Sequence, residues 1–206
     1  MGAYWKAVDV YRVEEFQGYM FVISQRYPSV VEYLKNQVGF NKWSRCHFPS
    51  LRYNITTTSM VESLNNMLIN AREFPYIALL YIIQEKMSKW WNKRRAMGLS
   101  LTSLLTPNRE NELRPYFTES NNLLTIQLNP ITFHVKGGRL DSVVNADTLT
   151  CTCCVFDIDS LLCIHTIAAT RHASVGVYTL VSCYYMKDYY MLVYTETIYP
   201  VGSQSQ

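Results

Sequence analysis

The sequence lacks a long apolar run and has no strong excess of charge. Its longest uninterrupted apolar stretch, Tyr76–Ile83, is far shorter than the roughly 18 residues that indicate a membrane span. The net charge of +3 is too small to indicate a polyanionic partner by itself. We therefore expect no membrane partner, and an argument for nucleic-acid binding must rest on local clusters of basic residues.

The N-terminal stretch MGAYWKAVDVYRVEEF also lacks the basic segment and the apolar core of a secretory signal. We therefore expect a reducing compartment, in which disulfides are rare. Cysteine is scarce, with six in 206 residues, yet four of the six fall within CTCCVFDIDSLLCIH at Cys151–His165. In a reducing compartment such clustered thiols are more often metal ligands than disulfides.

The composition, with 49% hydrophobic and 17% charged residues, is typical of a folded chain that can bury a core. Apolar residues recur at helical spacing through much of the first half, and the longest predicted helix begins near Pro75 and ends at Gly98. The stretch 101–129 is polar, and two short extended runs then flank Gly137 and Gly138, which predicts a hairpin. The pattern predicts an α+β fold with helices at 1–100, a linker at 101–129, a β-hairpin plus helix metal module at 130–175, and a tail at 176–206 that packs on the preceding domains.

The spacing inside the cysteine cluster has a mechanical reason. Cys151 and Cys153 project to the same face of an extended strand, so both sulfurs can reach one ion. Cys163 and His165 cannot share a face inside a regular helix, so one of them should precede the helix that follows. Three thiolates and one imidazole suit tetrahedral Zn²⁺, and four protein ligands leave no open coordination position. The cluster therefore predicts a structural zinc site and not a hydrolytic one.

Other interpretations of the cysteines stay open at this point. The cluster could consist of ordinary small core residues or of a disulfide, although a disulfide between residues two apart is strained. Cys154 directly follows Cys153 and could compete as a ligand, but on a strand it would face away, so we expect a packed thiol beside the site. Cys46 and Cys183 stand alone and are expected to be buried as small hydrophobic residues.

The strongest basic signal is the stretch KMSKWWNKRR, which contains no acidic residue. Its five cations are Lys86, Lys89, Lys93, Arg94 and Arg95. The three lysines would lie along one face of a helix, where they could contact DNA phosphates. The alternative is a solvated helix face whose cations are favourable near the C-terminal end of the helix dipole.

The pattern C-x-C, a gap of nine residues, then C-x-H resembles the SWIM zinc finger of plant Mutator-like transposases and of their domesticated relatives, the far-red-impaired-response-type factors. The flanking segments at 52–95, 133–150 and 196–203 are similar to those around the finger in that family, and the likeness extends from Tyr4 to Ser203. The resemblance implies zinc at the four clustered ligands and a nuclear location. It also implies that the helical region is the remnant of a ribonuclease-H-like transposase core.

The transposases of this family cut and join DNA with two aspartates and a glutamate that hold divalent metal ions. Glu62 matches the glutamate, whereas the aspartates belong to strands upstream of the helical stretch with which this sequence opens. Asp9 is in no strand-like run. We therefore expect no enzyme activity and regard Glu62 as a relic of an active site. Glu62 also fits a capping box with Ser59, which needs no catalytic role.

These observations predict a noncatalytic zinc-finger protein that binds DNA or a protein partner in the nucleus and takes no small-molecule substrate. The alternative is a subunit or fragment of an active transposase whose aspartates come from another chain or from missing upstream sequence. A third possibility is a truncated fragment without a role. From Cys151 onward the finger carries Asp157 and Asp159 and no Lys or Arg before Arg171, which mildly favours a protein contact at the finger.

Overall fold

The computed structural model describes residues 2–49 and 59–199. In this part of the chain helices precede a small sheet, and further short helices follow it. The first helices are α1 (Gly2–Asp9), α2 (Val13–Arg26), α3 (Pro28–Tyr33), α4 (Ser59–Leu68), α5 (Tyr76–Ser100) and α6 (Pro107–Ser120). The strands are β1 (Leu124–Asn129), β2 (Thr132–Lys136), β3 (Ser142–Asn145) and β4 (Thr150–Cys151). The last helices are α7 (Val155–Asp159), α8 (Ile164–His172) and α9 (Lys187–Val193). The chain is thus a mixture of helices and one antiparallel sheet, in agreement with the predicted α+β class.

The described residues form two units. The first contains residues 2–49 and 112–182, and the second contains residues 59–111 and 183–199. Among the described residues no helix is both long and apolar enough to cross a bilayer.

The N-terminal helices of the first unit have their own hydrophobic core. Phe16, Met20 and Ile23 recur at helical spacing on α2, and their side chains are buried against Ala7 of α1. Aromatic side chains from the following segment complete this core, and Trp43 stacks on Tyr4 with ring centroids 5.3 Å apart. Residues 2–49 therefore pack around a core and are not a loose extension.

The sheet is an antiparallel meander in the order β1-β2-β3-β4. Side chains alternate along the strands, so Phe133 and Val135 of β2 and Val144 of β3 are buried on one face. Helix α8 covers this face and buries Ile167 against it. The predicted hairpin around Gly137 and Gly138 is present as the β2–β3 turn, where both glycines adopt positive φ.

In the second unit α5 packs against α9. The predicted end of α5 at Gly98 is wrong, because the helix continues to Ser100. Gly98 is instead buried beneath α9, where an added Cβ would collide with Met191 and lie 3.1 Å from the ring of Tyr190. The absence of a side chain at this position thus serves helix packing and not termination.

The stretch 101–129, predicted as a linker, contains α6 and β1. Its polar composition reflects a helix that is only partly buried, with Leu113 at 0% exposure and Tyr116 and Phe117 half-buried. Pro115 lies inside this helix, where it removes one backbone hydrogen bond and disguises the helical pattern. The domain division proposed from sequence stays a prediction.

Replacement of Leu113 tests whether α6 is a packed element. We expect Leu113→Ala to lower the free energy of unfolding by about 2–5 kcal/mol, because it leaves a cavity in a buried site. The neighbouring exposed change Arg114→Ala should stay within about 0.5 kcal/mol of wild type. Denaturant unfolding followed by circular dichroism measures both, and equal, small effects would indicate an unpacked linker.

Candidate metal centre

Three elements bring the predicted ligands together. Cys151 ends β4 on the buried face of the sheet, opposite Val144, and Cys153 follows in the turn before α7. Cys163 is the N-cap of α8, and His165 lies in the first turn of that helix. One ligand of the C-x-H pair thus precedes the helix, as the spacing requires.

The sulfurs of Cys151, Cys153 and Cys163 and a ring nitrogen of His165 all lie within 4.8 Å of one another. Around a tetrahedral Zn²⁺ with bonds of about 2.3 Å to sulfur and about 2.0 Å to nitrogen, such atoms would be separated by about 3.5–3.8 Å. A small inward shift of the side chains would therefore suffice to bind one ion.

His165 supports this arrangement, because it is only 6% exposed and poorly satisfied by protein groups. Its Nδ1 lies 3.8 Å from the sulfur of Cys151, and its buried Nε2 has no hydrogen-bond partner within the described chain. A buried polar atom without a partner costs free energy. A bond from the imidazole to a metal, with water or a side-chain adjustment at the other nitrogen, would offset that cost.

The three thiols ionise unequally in the metal-free fold. Hydrogen bonds to Cys153 and Cys163, together with burial, raise the pKa of Cys151 far above its ordinary value. The bond with Cys151 lowers the pKa of Cys153, but the bond with Cys163 and burial outweigh it and raise that pKa to about 12. Burial opposes ionisation of Cys163, yet the hydrogen bonds from its neighbours hold its pKa well below the ordinary value. One thiolate is therefore shared by two thiols, and a bound cation would replace their protons.

Side chains outside the ligand set orient it. Thr166 accepts a hydrogen bond from the backbone N–H of Cys163 at 2.9 Å, and its Oγ1 lies 2.9 Å from that cysteine's sulfur. Asp157 accepts a hydrogen bond from the backbone N–H of Cys151 at 2.9 Å. Such outer contacts fix ligand orientation. Thr166 was not predicted from the sequence and Asp157 was assigned only to a surface, although C-x-x-T at the start of a helix has the spacing of the capping box that Cys163 and Thr166 form.

Cys154 lies outside the cluster. Its backbone is left-handed, with φ of 64°, and its sulfur contacts the carbonyl oxygen of Thr152 at 3.7 Å. It is directed away because the chain turns into α7 here, and not because it continues a strand. Cys46 is half-buried, and Cys183 is exposed, so the expectation of a buried Cys183 was wrong.

The predicted basic residues fall into two groups on α5. Lys86, Lys89 and Lys93 are exposed. The guanidinium of Arg94 lies 4.8 Å from the ring centroid of Trp90, and Arg95 donates hydrogen bonds to backbone carbonyls at the end of α9. The lysines are therefore presented to solvent, whereas Arg95 has a structural role.

Glu62 lies in the first turn of α4, exposed to solvent. The side chain of Ser59, which the predicted capping box requires, lies outside the described residues. The relic and capping interpretations of Glu62 both stay predictions.

Adjacent cysteines allow a matched test of the ligand set. We expect Cys153→Ser to abolish stoichiometric zinc binding, because it removes one of four donors, whereas Cys154→Ser should retain about one zinc per chain. Elemental analysis of the purified, dialysed proteins measures the metal content. Loss of zinc from the Cys154 variant with retention in the Cys153 variant would contradict the assignment.

Comparison with known protein families agrees with this geometry. Residues 141–174 match the SWIM zinc finger family, and the matched stretch contains β3, β4, α7 and α8 with all four candidate donors. No curated protein and no solved structure matches the chain. The chain therefore contains a SWIM zinc finger domain at residues 141–174, with a Cys₃His group that could hold a metal ion.

Proposed function

We propose that this chain is a zinc-stabilised binding protein that carries out no reaction at the metal. The observation that carries the proposal is the convergence of four protein donors within 4.8 Å. Four donors saturate tetrahedral zinc, which leaves no position for a reacting water or substrate. The binding energy of the ion would then contribute to folding, since the ion would link β4 to α8 across residues 154–162. These residues, which lie between the two ligand pairs, are called the ligand gap.

We propose further that the chain derives from a plant Mutator-like transposase and acts in the nucleus, as the related far-red-impaired-response-type factors do. The first support is that the finger of those transposases is also of the SWIM type, although the match at residues 141–174 itself shows only the finger. The remaining support is the likeness of the segments at 52–95 and 133–150. On this origin, the helices before the finger descend from a ribonuclease-H-like core.

DNA is the partner that the charge distribution favours. Lys86, Lys89 and Lys93 lie on one face of α5 and are exposed, as phosphate contacts require. Lys89 also forms an exposed ion pair with Glu85, which a phosphate would have to displace. Within the finger, Arg171 donates to Ser120 and is not free for DNA. Lys86, Lys89 and Lys93, which form a basic stripe on α5, are therefore the proposed contact with DNA.

A protein partner is the second candidate, and the open face of the sheet favours it. Ile126 of β1 and Val143 of β3 flank His134 on the face opposite α8, and both are partly exposed. Leu124 extends this apolar surface along β1. An exposed apolar surface of this kind is typical of protein contact sites.

An active transposase subunit remains the alternative proposal. Glu62 would then supply one of three metal-binding carboxylates, with both aspartates contributed by another chain or by upstream sequence. Its exposed position on α4 leaves it accessible to such a partner. Metal-dependent cleavage of DNA by this chain alone would contradict the noncatalytic proposal.

Removal of the basic stripe tests the DNA proposal. We expect the triple change of Lys86, Lys89 and Lys93 to Ala to weaken binding to duplex DNA and to reduce the slope of log affinity against log salt by about two to three, since each phosphate contact contributes about 0.9. Fluorescence anisotropy across a salt series measures affinity and slope together.

A control with the same change in net charge separates local contact from general attraction. Lys35, Lys42 and Lys136 are exposed residues of the first unit, and their replacement by Ala should leave the slope near that of wild type. Equal losses in both triple variants would contradict a specific role for the basic stripe. If the zinc-bound protein shows no binding to DNA at any salt concentration, the result would favour the proposal of a protein partner.

A further inference from the structure

A buried carboxylate lies inside the gap between the two ligand pairs. Asp159 ends α7, between Cys153 and Cys163, and is only 2% exposed. Burial of an unpaired carboxylate is costly, so a side chain in this position requires close partners.

The partners come from the N-terminal helical segment. Tyr11 donates a hydrogen bond from its hydroxyl to Asp159 Oδ2 at 2.5 Å, although the two residues are 148 positions apart. Arg45 lies 3.8 Å from the same carboxylate oxygen and also donates to the Tyr11 hydroxyl. Arg45 is itself only 8% exposed, and its guanidinium lies 4.6 Å from the centroid of the Tyr11 ring. The three side chains thus form one charged and hydrogen-bonded group.

Both partners are held by the core of the N-terminal segment. Tyr11 occupies the short connection between α1 and α2, and Arg45 opens a 3-10 turn next to Trp43. Trp43 packs on Phe16 at the centre of that core, with ring centroids 5.6 Å apart. Burial and the hydrogen bond to Asp159 raise the pKa of Tyr11, which keeps its hydroxyl protonated as a donor. The donors are flanked in sequence by Val10 and Cys46, which pack against that core.

The ligand gap gains most from such support. Between Cys153 and Cys163 the chain forms α7 and then reverses at Ser160, whose φ of 53° is unusual for a residue other than glycine. Ordering a segment of this kind costs conformational entropy, and ligands that are already held in place bind an ion more tightly.

We infer that residues 2–49 act as a built-in clamp on the metal centre, with Tyr11 and Arg45 as positioning residues that hold the ligand gap through Asp159. The inference rests on the proposed zinc binding. Because coupling between two equilibria is reciprocal, the clamp strengthens zinc binding and zinc strengthens the docking of the N-terminal segment. The SWIM match covers only residues 141–174. It therefore includes Asp159 but none of the residues of the clamp.

Two Asp→Asn substitutions, one at each carboxylate that lies near Arg45, test the clamp. Asp159→Asn removes the buried charge, whereas Asp9→Asn removes a carboxylate that lies 3.5 Å from Arg45 but is 61% exposed. In the full chain, we expect Asp159→Asn to weaken zinc at least about fivefold, within the usual range of coupling, and Asp9→Asn to leave it unchanged. Competition with a chromophoric chelator measures the zinc dissociation constants. Equal affinities in the two variants would overturn the clamp.

Tyr11→Phe keeps the test decisive if Asp159→Asn does not fold, because it removes one hydroxyl oxygen. It should weaken zinc in the same direction, while Tyr33→Phe, at an exposed tyrosine, should not. Hydrogen exchange supplies the reciprocal readout, since chelation should speed exchange at the amides of α1 and α2. If the wild-type protein binds no zinc, the proposed function itself is overturned. If the wild type binds zinc tightly and Tyr11→Phe binds it with the same affinity, only the clamp is overturned.

Discussion

Three sulfurs and an imidazole confined within 4.8 Å in a mostly buried site impose the main physical constraint on this molecule. Without a cation, mutual hydrogen bonds and burial raise the pKa of Cys151 and Cys153, and against the effect of burial hydrogen bonds lower the pKa of Cys163. One Zn²⁺ bound to all four donors would replace the thiol protons and connect the elements that carry the ligands. The elements it would join are the end of the sheet and the helix that covers the sheet's buried face. A bound ion would therefore add a second connection between these elements to the apolar packing of α8, which buries Ile167.

The site is supported by charge as much as by apolar packing. Thr166 and Asp157 orient the two ligand-bearing backbones, and Asp159 connects the ligand gap to Arg45. Buried polar groups of this kind contribute only when each has a partner, because an unpaired member is costly. Asp157 and Asp159, which in the sequence suggest a surface for protein contact, thus have partners within the chain. The exposed cations proposed for DNA lie on α5 of the second unit, so the proposed zinc and DNA roles belong to different parts of the chain.

Local sequence patterns predicted much of this arrangement, but they could not predict contacts between residues far apart in the sequence. Cysteine and histidine spacing was enough to select the four residues that the fold brings together, and the two glycines predicted the β2–β3 turn. Helix α6 escaped prediction because, among its residues whose side chains the structure describes, the only fully buried apolar one is Leu113, which gives no periodicity, and Pro115 argues against a helix. The contact of Tyr11 with Asp159 could not be predicted, because neither segment contains a sequence pattern that indicates it. Such pairs arise only when separate cores meet.

The central claim is that zinc is held by four protein ligands and by no solvent. X-ray absorption spectroscopy at the zinc edge of the purified full chain tests it most directly. The account predicts three sulfur neighbours at about 2.3 Å and one nitrogen neighbour at about 2.0 Å. A coordination shell with fewer than three sulfurs, or with an additional water oxygen, would contradict a closed structural site and would reopen the question of chemistry at the metal.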